Sequence, residues 1–123
     1  MAKYAYIRVS SKDQNIARQV EAMQEMGLTK KQMYIDKQSG KDFIRKNYQR
    51  LIRKLKAGDE LYIKSIDRLG RDYDEILEQW RYLTRVKDIE LIVLDFPLLD
   101  TRNQVNGVTG KFIADLVLQI LSY

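Results

Sequence analysis

The segment Lys3-Tyr4-Ala5-Tyr6-Ile7-Arg8-Val9-Ser10 decides how the chain begins to fold. Its β-branched and aromatic residues predict a strand over Lys3 to Val9 that ends at Ser10. The polar residues Ser11 to Gln14 follow, and the first and last of them have the spacing of a helix capping box. Apolar residues then recur at helical spacing before a glycine stop: Ile16, Val20, Met23 and Met26, followed by Gly27. The start of the chain therefore predicts a strand, a turn and a helix.

Strand and helix patterns continue to alternate after this first unit. Further strands are predicted at Met33 to Ile35, Glu60 to Lys64 and Leu91 to Leu94, and the polar segment Asp36 to Asn47 predicts an exposed loop. Two further helices are indicated by apolar spacing: Tyr48, Leu51, Ile52 and Leu55 for one, and Ile76, Leu77, Trp80 and Leu83 for the other. This alternation predicts an α/β fold, with right-handed crossovers and a mostly parallel sheet flanked by helices.

The last segment, Val108 to Tyr123, predicts a helix with an unusually broad apolar stripe that reaches the end of the chain without a cap. Two interpretations have equal weight. The helix packs in the core of one domain, or it is a C-terminal oligomerisation helix, truncated by the chain end, that is covered by another subunit. The apolar residues are Phe112, Ile113, Leu116, Val117, Leu118, Ile120 and Leu121.

Composition excludes several classes of chemistry. The chain has 123 residues, which is enough for one domain with its own core, and it contains no Cys and no His. Thiol nucleophiles, imidazole bases and ordinary zinc sites are therefore excluded. Lys and Arg number 22 against 17 acids, a net charge of +5 that favours an anionic partner. With no apolar signal region and no stretch that could span a membrane, we expect a cytoplasmic protein.

Two arginine-containing segments follow predicted strands. Ser10 and Arg8 end the first strand, and Asp67 and Arg68 follow the third. Because ligands gather beyond the carboxyl ends of parallel strands, we expect these groups to meet at one edge of the sheet. A serine hydroxyl beside guanidinium groups, whose shape and charge match phosphate oxygens, indicates chemistry on a phosphodiester.

In this interpretation Ser10 is the nucleophile, and without histidine its activation is electrostatic. Arg8 and Arg68 offset the charge of the phosphate and of the transition state, and Arg45 and Arg71 extend the cluster. Asp67 either donates a proton to the departing oxygen or orients the arginines. Nearby arginines favour the ionised carboxylate, which makes the orienting role electrostatically easier.

Three motifs resemble those of a known family. They are Tyr6-x-Arg8-Val9-Ser10, then Asp36-Lys37-x-Ser39-Gly40 with Arg45 after it, and Asp67-Arg68-Leu69-Gly70-Arg71-Asp72. Their order and separation resemble the catalytic domain of serine recombinases, the resolvase and invertase group, over nearly the whole chain. The resemblance implies that residues 1–123 form one catalytic domain, and that the separate DNA-binding domain of that family is absent from this chain.

The resemblance also implies roles and partners. Ser10 aligns with the serine that becomes joined to DNA, and Arg8, Arg45, Arg68, Arg71 and Asp67 align with catalytic positions. Gln19 and Lys54 align with polar active-site positions that contact DNA. The implied reaction cleaves and rejoins DNA through a phosphoserine link, with no cofactor and no metal. The implied partners are double-stranded DNA and further copies of the chain, from dimer to tetramer on paired sites, through the C-terminal helix.

Two other functions remain open from the residues alone. Asp36, Asp59, Asp67 and Asp95 lie near predicted strand ends and would suit a magnesium-dependent nuclease, although arginines would compete for them. A non-catalytic basic DNA-binding or regulatory module would use the arginines to hold phosphate and would not need Ser10.

Overall fold

A computed structural model describes residues 1–10, 16–38, 45–102, 104–105 and 108–121 of the chain. Its main sheet has four parallel strands: β1 (Lys3–Ser10), β2 (Met33–Gln38), β3 (Glu60–Ile63) and β4 (Glu90–Val93). The strand order is β2-β1-β3-β4. The predicted α/β fold with a parallel sheet is confirmed.

Within the described ranges the chain forms α1 (Ile16–Glu25), α2 (Lys46–Lys54), α3 (Tyr73–Arg81) and α4 (Gly110–Leu121). A π-helical turn, Tyr82–Val86, continues α3, and a 3-10 turn, Ile66–Leu69, joins β3 to α3. None of the helices described combines the length and apolar character that crossing a membrane requires.

The predicted loop over Asp36 to Asn47 is wrong at both ends. Asp36 and Lys37 continue β2 because they pair with Arg8 and Val9 of β1, and α2 begins at Lys46. Backbone pairing along an edge strand tolerates polar side chains, so β2 continues past the last apolar residue of its sequence pattern. The centre of the segment, with Ser39 and Gly40, lies outside the described residues, as does the proposed capping box of Ser11 and Gln14.

The last helix also begins later than expected. Val108–Thr109 forms the short strand β6, which pairs with β5 (Gln104–Val105) as an antiparallel hairpin, and α4 begins at Gly110. β-branched residues such as Val108 and Thr109 favour a strand when a partner is within reach, and this local preference overrides the helical spacing that follows.

Helices cover both faces of the sheet. Alternate residues of β1, namely Ala5, Ile7 and Val9, are buried in a cluster with Met23 of α1. Tyr6 faces the other way, into a larger cluster formed with α2, α3 and α4 that includes Tyr48, Leu51, Trp80 and Leu118. Because side chains alternate along a strand, Arg8 lies on the same face of β1 as Tyr6.

The strand order places a switch point between β1 and β3. The chain passes from β1 to β2 on one side, and it then continues to β3 and β4 on the other side of β1. Tyr6 pairs with Ile63, the last residue of β3, so the stretch from Ile7 to Ser10 extends beyond β3. The 3-10 turn after β3 therefore lies beside the end of β1, at the edge where parallel sheets bind ligands.

Gly70 connects this turn to α3 and has no room for a side chain. A Cβ atom on Gly70 would lie 2.8 Å from the Cβ of Glu75 and 2.8 Å from the backbone nitrogen of Ile76. We therefore expect Gly70→Ala to displace the start of α3 and to lower the free energy of unfolding by about 1–3 kcal/mol, as overpacking does. Urea unfolding measures this change.

Ala57→Ser is the control for this prediction. Ala57 is exposed in the turn before β3, so one added side-chain atom has room there. We expect a change within about 0.5 kcal/mol. A Gly70→Ala protein as stable as the Ala57→Ser protein would contradict the crowding argument.

Candidate active site

Arg8 links the first strand to the turn that follows the third. Its half-buried side chain leaves β1, and its Nη2 atom donates a hydrogen bond of 2.6 Å to the backbone oxygen of Asp67. The two arginine segments, fifty-nine residues apart, are thus in direct contact. The predicted meeting of these segments at one edge of the sheet is what the structure shows.

Arg45 reaches the same turn from a third element. It is the N-cap residue of α2 and is 7% exposed. Its Nη1 atom donates a hydrogen bond of 2.7 Å to the backbone oxygen of Leu69, and its guanidinium lies 4.1 Å from the centroid of the Tyr48 ring. Stacking on an aromatic ring holds a guanidinium in place without cancelling its charge.

The cluster has an electrostatic strain that an anion would relieve. Burial lowers the pKa of Arg8, and the positive charges of Arg68 and Arg45 lower it further, while Tyr6 and Asp67 act in the opposite direction. The shift means that the protein disfavours the charged form of Arg8 as the site stands. A bound phosphate group would reverse that balance.

Arg68 has a donor atom with no hydrogen-bond partner among the described residues. Its side chain is 24% exposed, and its Nε atom lies 4.0 Å from Oδ1 of Asp67, beyond hydrogen-bond range. That Nε atom is the donor concerned, and it is buried. Unsatisfied buried donors are rare in folded proteins, and they are expected at functional sites more than elsewhere.

Ser10 is the last residue of β1, where its backbone pairs with Gln38 of β2. It follows Arg8 by two residues, which places the two Cα atoms about 7 Å apart in an extended strand. The hydroxyl of Ser10 lies outside the part of the chain that is described.

The remaining predicted residues occupy different positions. Arg71 is exposed at the start of α3 and makes an ion pair of 3.6 Å with Glu75. Gln19 is buried in α1, and its Oε1 atom has no hydrogen-bond partner in the described ranges. Lys54 ends α2 with its ammonium 5.8 Å from the Tyr34 ring centroid. At 1.5 Å per residue, α2 separates Lys54 from Arg45 by roughly 13 Å. The structure brings together Arg8, Arg45, Asp67 and Arg68.

Asp36 supports the site, and sequence reasoning did not assign it this role. Its buried carboxylate accepts a hydrogen bond of 2.9 Å from the Tyr6 hydroxyl, and bonds of 3.0 Å each from the backbone nitrogens of Asn47 and Tyr48. Asp36 thus caps the start of α2 from a neighbouring strand and fixes Arg45, the residue before that helix. A carboxylate at the end of an apolar strand is the only signal in the sequence, and that signal equally fits a motif position or a metal ligand.

Burial, and after it the contact with Asp36, raise the pKa of Tyr6. The charge and the hydrogen bond of Asp36 both act in this direction, against smaller effects of Arg45 and Arg8. The Tyr6 ring also packs against Tyr48, with centroids 4.9 Å apart. Tyr6 is therefore a neutral hydrogen-bond donor, buried in the scaffold behind the arginines.

The four aspartates considered for a metal site have separate positions. Asp59 precedes β3, at the amino edge of the sheet, where its carboxylate accepts from the backbone nitrogens of Ala2 and Lys56. Asp95 follows β4 and pairs with Lys64 at 3.0 Å. Among the residues that are described, no group of three His, Cys, Asp or Glu side chains could hold a metal ion.

The chain is similar to known proteins along most of its length. Residues 3–119 match the family model described as the N-terminal domain of resolvase. The chain is 32% identical to the transposon Tn3 resolvase of Escherichia coli over 117 residues, and 37% identical to the transposon Tn21 resolvase of Escherichia coli over 123 residues. These matches cover 95% and 94% of this chain, and 60% and 63% of the relatives.

A further relative and a solved structure extend the comparison. The R46 site-specific recombinase of Escherichia coli is 29% identical over 95% of this chain and 58% of its own length. The crystal structure of the N-terminal catalytic domain of TP901-1 integrase superposes with a TM-score of 0.66 and 29% identity, covering 98% of this chain and 91% of that one. The chain thus spans about three fifths of the relatives it matches.

The bond between Tyr6 and Asp36 predicts a measurable pH dependence. Tyr6→Phe leaves a buried carboxylate short of one donor, so we expect the free energy of unfolding at neutral pH to fall by about 1.5–3 kcal/mol. Above pH 10, the ordinary pKa of tyrosine, the unfolded chain loses this proton while the folded protein retains it. The contribution of Tyr6 to stability therefore declines as pH rises above about 10. The difference in free energy of unfolding between wild type and Tyr6→Phe becomes smaller over the same range.

Urea unfolding from neutral pH to pH 11 checks this. Tyr4→Phe is the matched control, because Tyr4 lies on the same strand and its hydroxyl has no hydrogen bond among the described residues. We expect it to alter stability by less than about 0.5 kcal/mol at neutral pH. If the difference in free energy of unfolding between wild type and Tyr6→Phe increased at alkaline pH, the stabilising role of the Tyr6–Asp36 hydrogen bond would be contradicted.

Proposed function

This chain belongs to the resolvase N-terminal domain family, and on that premise we propose that it is the catalytic domain of a serine site-specific DNA recombinase. It cleaves and rejoins double-stranded DNA through a phosphoserine intermediate at Ser10, without a metal or cofactor, as resolvases or invertases do. One observation carries the proposal: Arg8, Arg45 and Arg68 converge at the carboxyl edge of the sheet, beside the strand that ends at Ser10.

In this mechanism the arginines bind the scissile phosphate. Arg8 and Arg68 donate to its non-bridging oxygens, since guanidinium groups match phosphate in shape and charge. Burial and the nearby charges of Arg68 and Arg45 lower the pKa of Arg8 in the free protein, so a bound anion stabilises its charged form. The same interactions strengthen as negative charge develops on the phosphate in the transition state.

Ser10 then attacks phosphorus. A new bond forms between the serine oxygen and phosphorus, the bond from phosphorus to one sugar oxygen breaks, and that oxygen leaves as a hydroxyl after taking up a proton. The serine proton passes to solvent. In the second half of the reaction a sugar hydroxyl of the exchanged strand attacks the phosphoserine and releases Ser10. The ester is conserved throughout, so no nucleotide cofactor is needed.

The other site residues have subsidiary roles. Asp67 carries an exposed carboxylate 4.0 Å from Nε of Arg68, and it either orients that arginine or supplies the proton for the departing oxygen. Arg71 joins the cluster when DNA competes with its partner Glu75. Lys54 is assigned to a contact with DNA outside the scissile phosphate. Gln19 is 6% exposed in α1, and this burial argues against the predicted contact with DNA.

The C-terminal helix provides the proposed contact between subunits. Phe112, Leu116 and Ile120 recur four residues apart on α4 and are 56%, 45% and 71% exposed. Residues at this spacing share one face of a helix. Exposed large apolar groups on one stripe are typical of a protein interface, and we assign this stripe to homodimers that pair into tetramers on two DNA sites.

Covalent trapping tests the chemistry. The chain is joined to a sequence-specific DNA-binding module and incubated, with chelator, with a DNA pool in which random sequence separates two sites for that module. We expect a protein–DNA adduct that survives denaturation and carries the DNA on the peptide of Ser10. In Ser10→Ala the yield of adduct should fall about 1,000-fold or more, since the nucleophile is lost.

Three results would count against this assignment. An adduct retained in Ser10→Ala would remove Ser10 as nucleophile. Cleavage that occurs only in a parallel reaction with magnesium and without chelator would indicate a metal-dependent nuclease. Failure of the wild-type fusion to form an adduct at any protein concentration would leave the chain as a non-catalytic module, because the fused module alone accounts for the binding to DNA.

The apolar stripe predicts a change in oligomeric state. Replacing Phe112 and Ile120 by Ser leaves the buried face of α4 intact, so we expect little change in the free energy of unfolding. Each lost apolar contact should weaken self-association by about tenfold. Sedimentation velocity over a range of concentrations measures this.

Val86→Ser is the control, because Val86 is 72% exposed on the turn after α3. It should not alter the dissociation constant of the dimer. A wild-type chain that stays monomeric at all concentrations, or equal weakening in Val86→Ser, would contradict the role of the stripe.

A further inference from the structure

Ser65 lies between the end of β3 and the 3-10 turn that carries Asp67 and Arg68. Its hydroxyl donates a hydrogen bond to Oδ1 of Asp67. Ser65 is the N-cap residue of the turn, yet its hydroxyl makes no capping bond, and its backbone oxygen accepts the hydrogen bond from the Arg68 nitrogen instead. The side chain of Ser65 is therefore not needed to close the turn.

Asp67 is held firmly through its backbone and weakly through its side chain. Its backbone oxygen accepts the bond of 2.6 Å from Arg8, whereas its carboxylate is 65% exposed. The nearest described cation, Arg68, is 4.0 Å from Oδ1, too far for a hydrogen bond. An exposed carboxylate with two free torsions samples several rotamers unless a neighbour selects one. The Ser65 hydroxyl supplies that selection.

We propose that Ser65 is a positioning residue for strand transfer, whose hydroxyl holds the Asp67 carboxylate beside Arg68 at the phosphate site. The inference rests on the proposed function, because it assigns Ser65 to the reaction of the same site. Holding a reacting group in one orientation before the substrate arrives lowers the barrier by removing the need to order it in the transition state. Ser65 acts through Asp67 and makes no bond to DNA.

Single-turnover adduct formation tests this role, with the chain joined to the DNA-binding module and the DNA pool described above. We expect Ser65→Ala to slow the adduct rate about tenfold, as loss of a hydrogen bond to a charged group does, with unchanged binding to DNA. Ser65→Thr should restore the rate to within about twofold, since the hydroxyl is retained and the extended backbone at Ser65 (φ −146°, ψ 158°) suits threonine.

A double-mutant cycle separates positioning from a structural effect. If Ser65 works only through Asp67, Ser65→Ala should slow the reaction no further in a protein that already carries Asp67→Asn. Thr29→Ala is the matched control, because Thr29 is the N-cap of another 3-10 turn and its hydroxyl bonds the Gln32 side chain at 3.0 Å, away from the site. It should leave the adduct rate unchanged.

The outcomes distinguish this inference from the function on which it rests. Three outcomes would overturn the positioning role: an unchanged adduct rate in Ser65→Ala, an equal loss of rate from Ser65→Ala with Asp67 and with Asn at position 67, or no rescue of the rate by Ser65→Thr. In each case an adduct formed by the wild-type protein would still support the proposed recombinase function. No adduct in the wild-type protein would overturn both.

Discussion

The buried carboxylate of Asp36 constrains the geometry of the whole site, because a polar group taken out of water needs hydrogen-bond donors from the protein. Those donors come from β1 and from the first turn of α2: the Tyr6 hydroxyl and the backbone nitrogens of Asn47 and Tyr48. A shift of α2 against the sheet would leave a buried charge short of partners, which costs several kcal/mol. Arg45, at the start of that helix, is therefore fixed over the turn that holds Asp67 and Arg68.

Backbone carbonyls orient two of the arginines at the site. Arg8 and Arg45 each donate a hydrogen bond to a backbone oxygen, of Asp67 and Leu69 respectively, so both guanidinium groups are fixed on the turn that carries Arg68. Guanidinium groups that converge from separate elements match the shape and charge of a phosphate group. This convergence is the physical reason for assigning the cluster to an anionic substrate.

The sequence was sufficient for the parts of the structure that depend on periodicity. Apolar spacing predicted the four strands and the helices between them, and the parallel arrangement then implied that Arg8 and Arg68 would meet. Prediction from the sequence failed where a tertiary contact determines the local structure. The polar pattern places Asp36 in a loop, whereas pairing with β1 keeps it in β2. The burial of Arg45 depends on Tyr48 and Leu69, and no local pattern encodes it.

The proposed interface and the proposed active site share α3. That helix begins two residues after Arg71, and Tyr73 in its first turn donates its hydroxyl to the backbone oxygen of Leu118 in α4. Further along, the Trp80 indole donates to Asp115 at 3.2 Å, and Arg85 pairs with the same carboxylate. α4 is thus fastened to α3 by polar contacts, while its apolar stripe faces away. A subunit bound on that stripe would lie one helix from Arg71. Because Gly70 packs directly against Glu75 and Ile76 of α3, we expect a displacement of α3 to move the arginine turn with it.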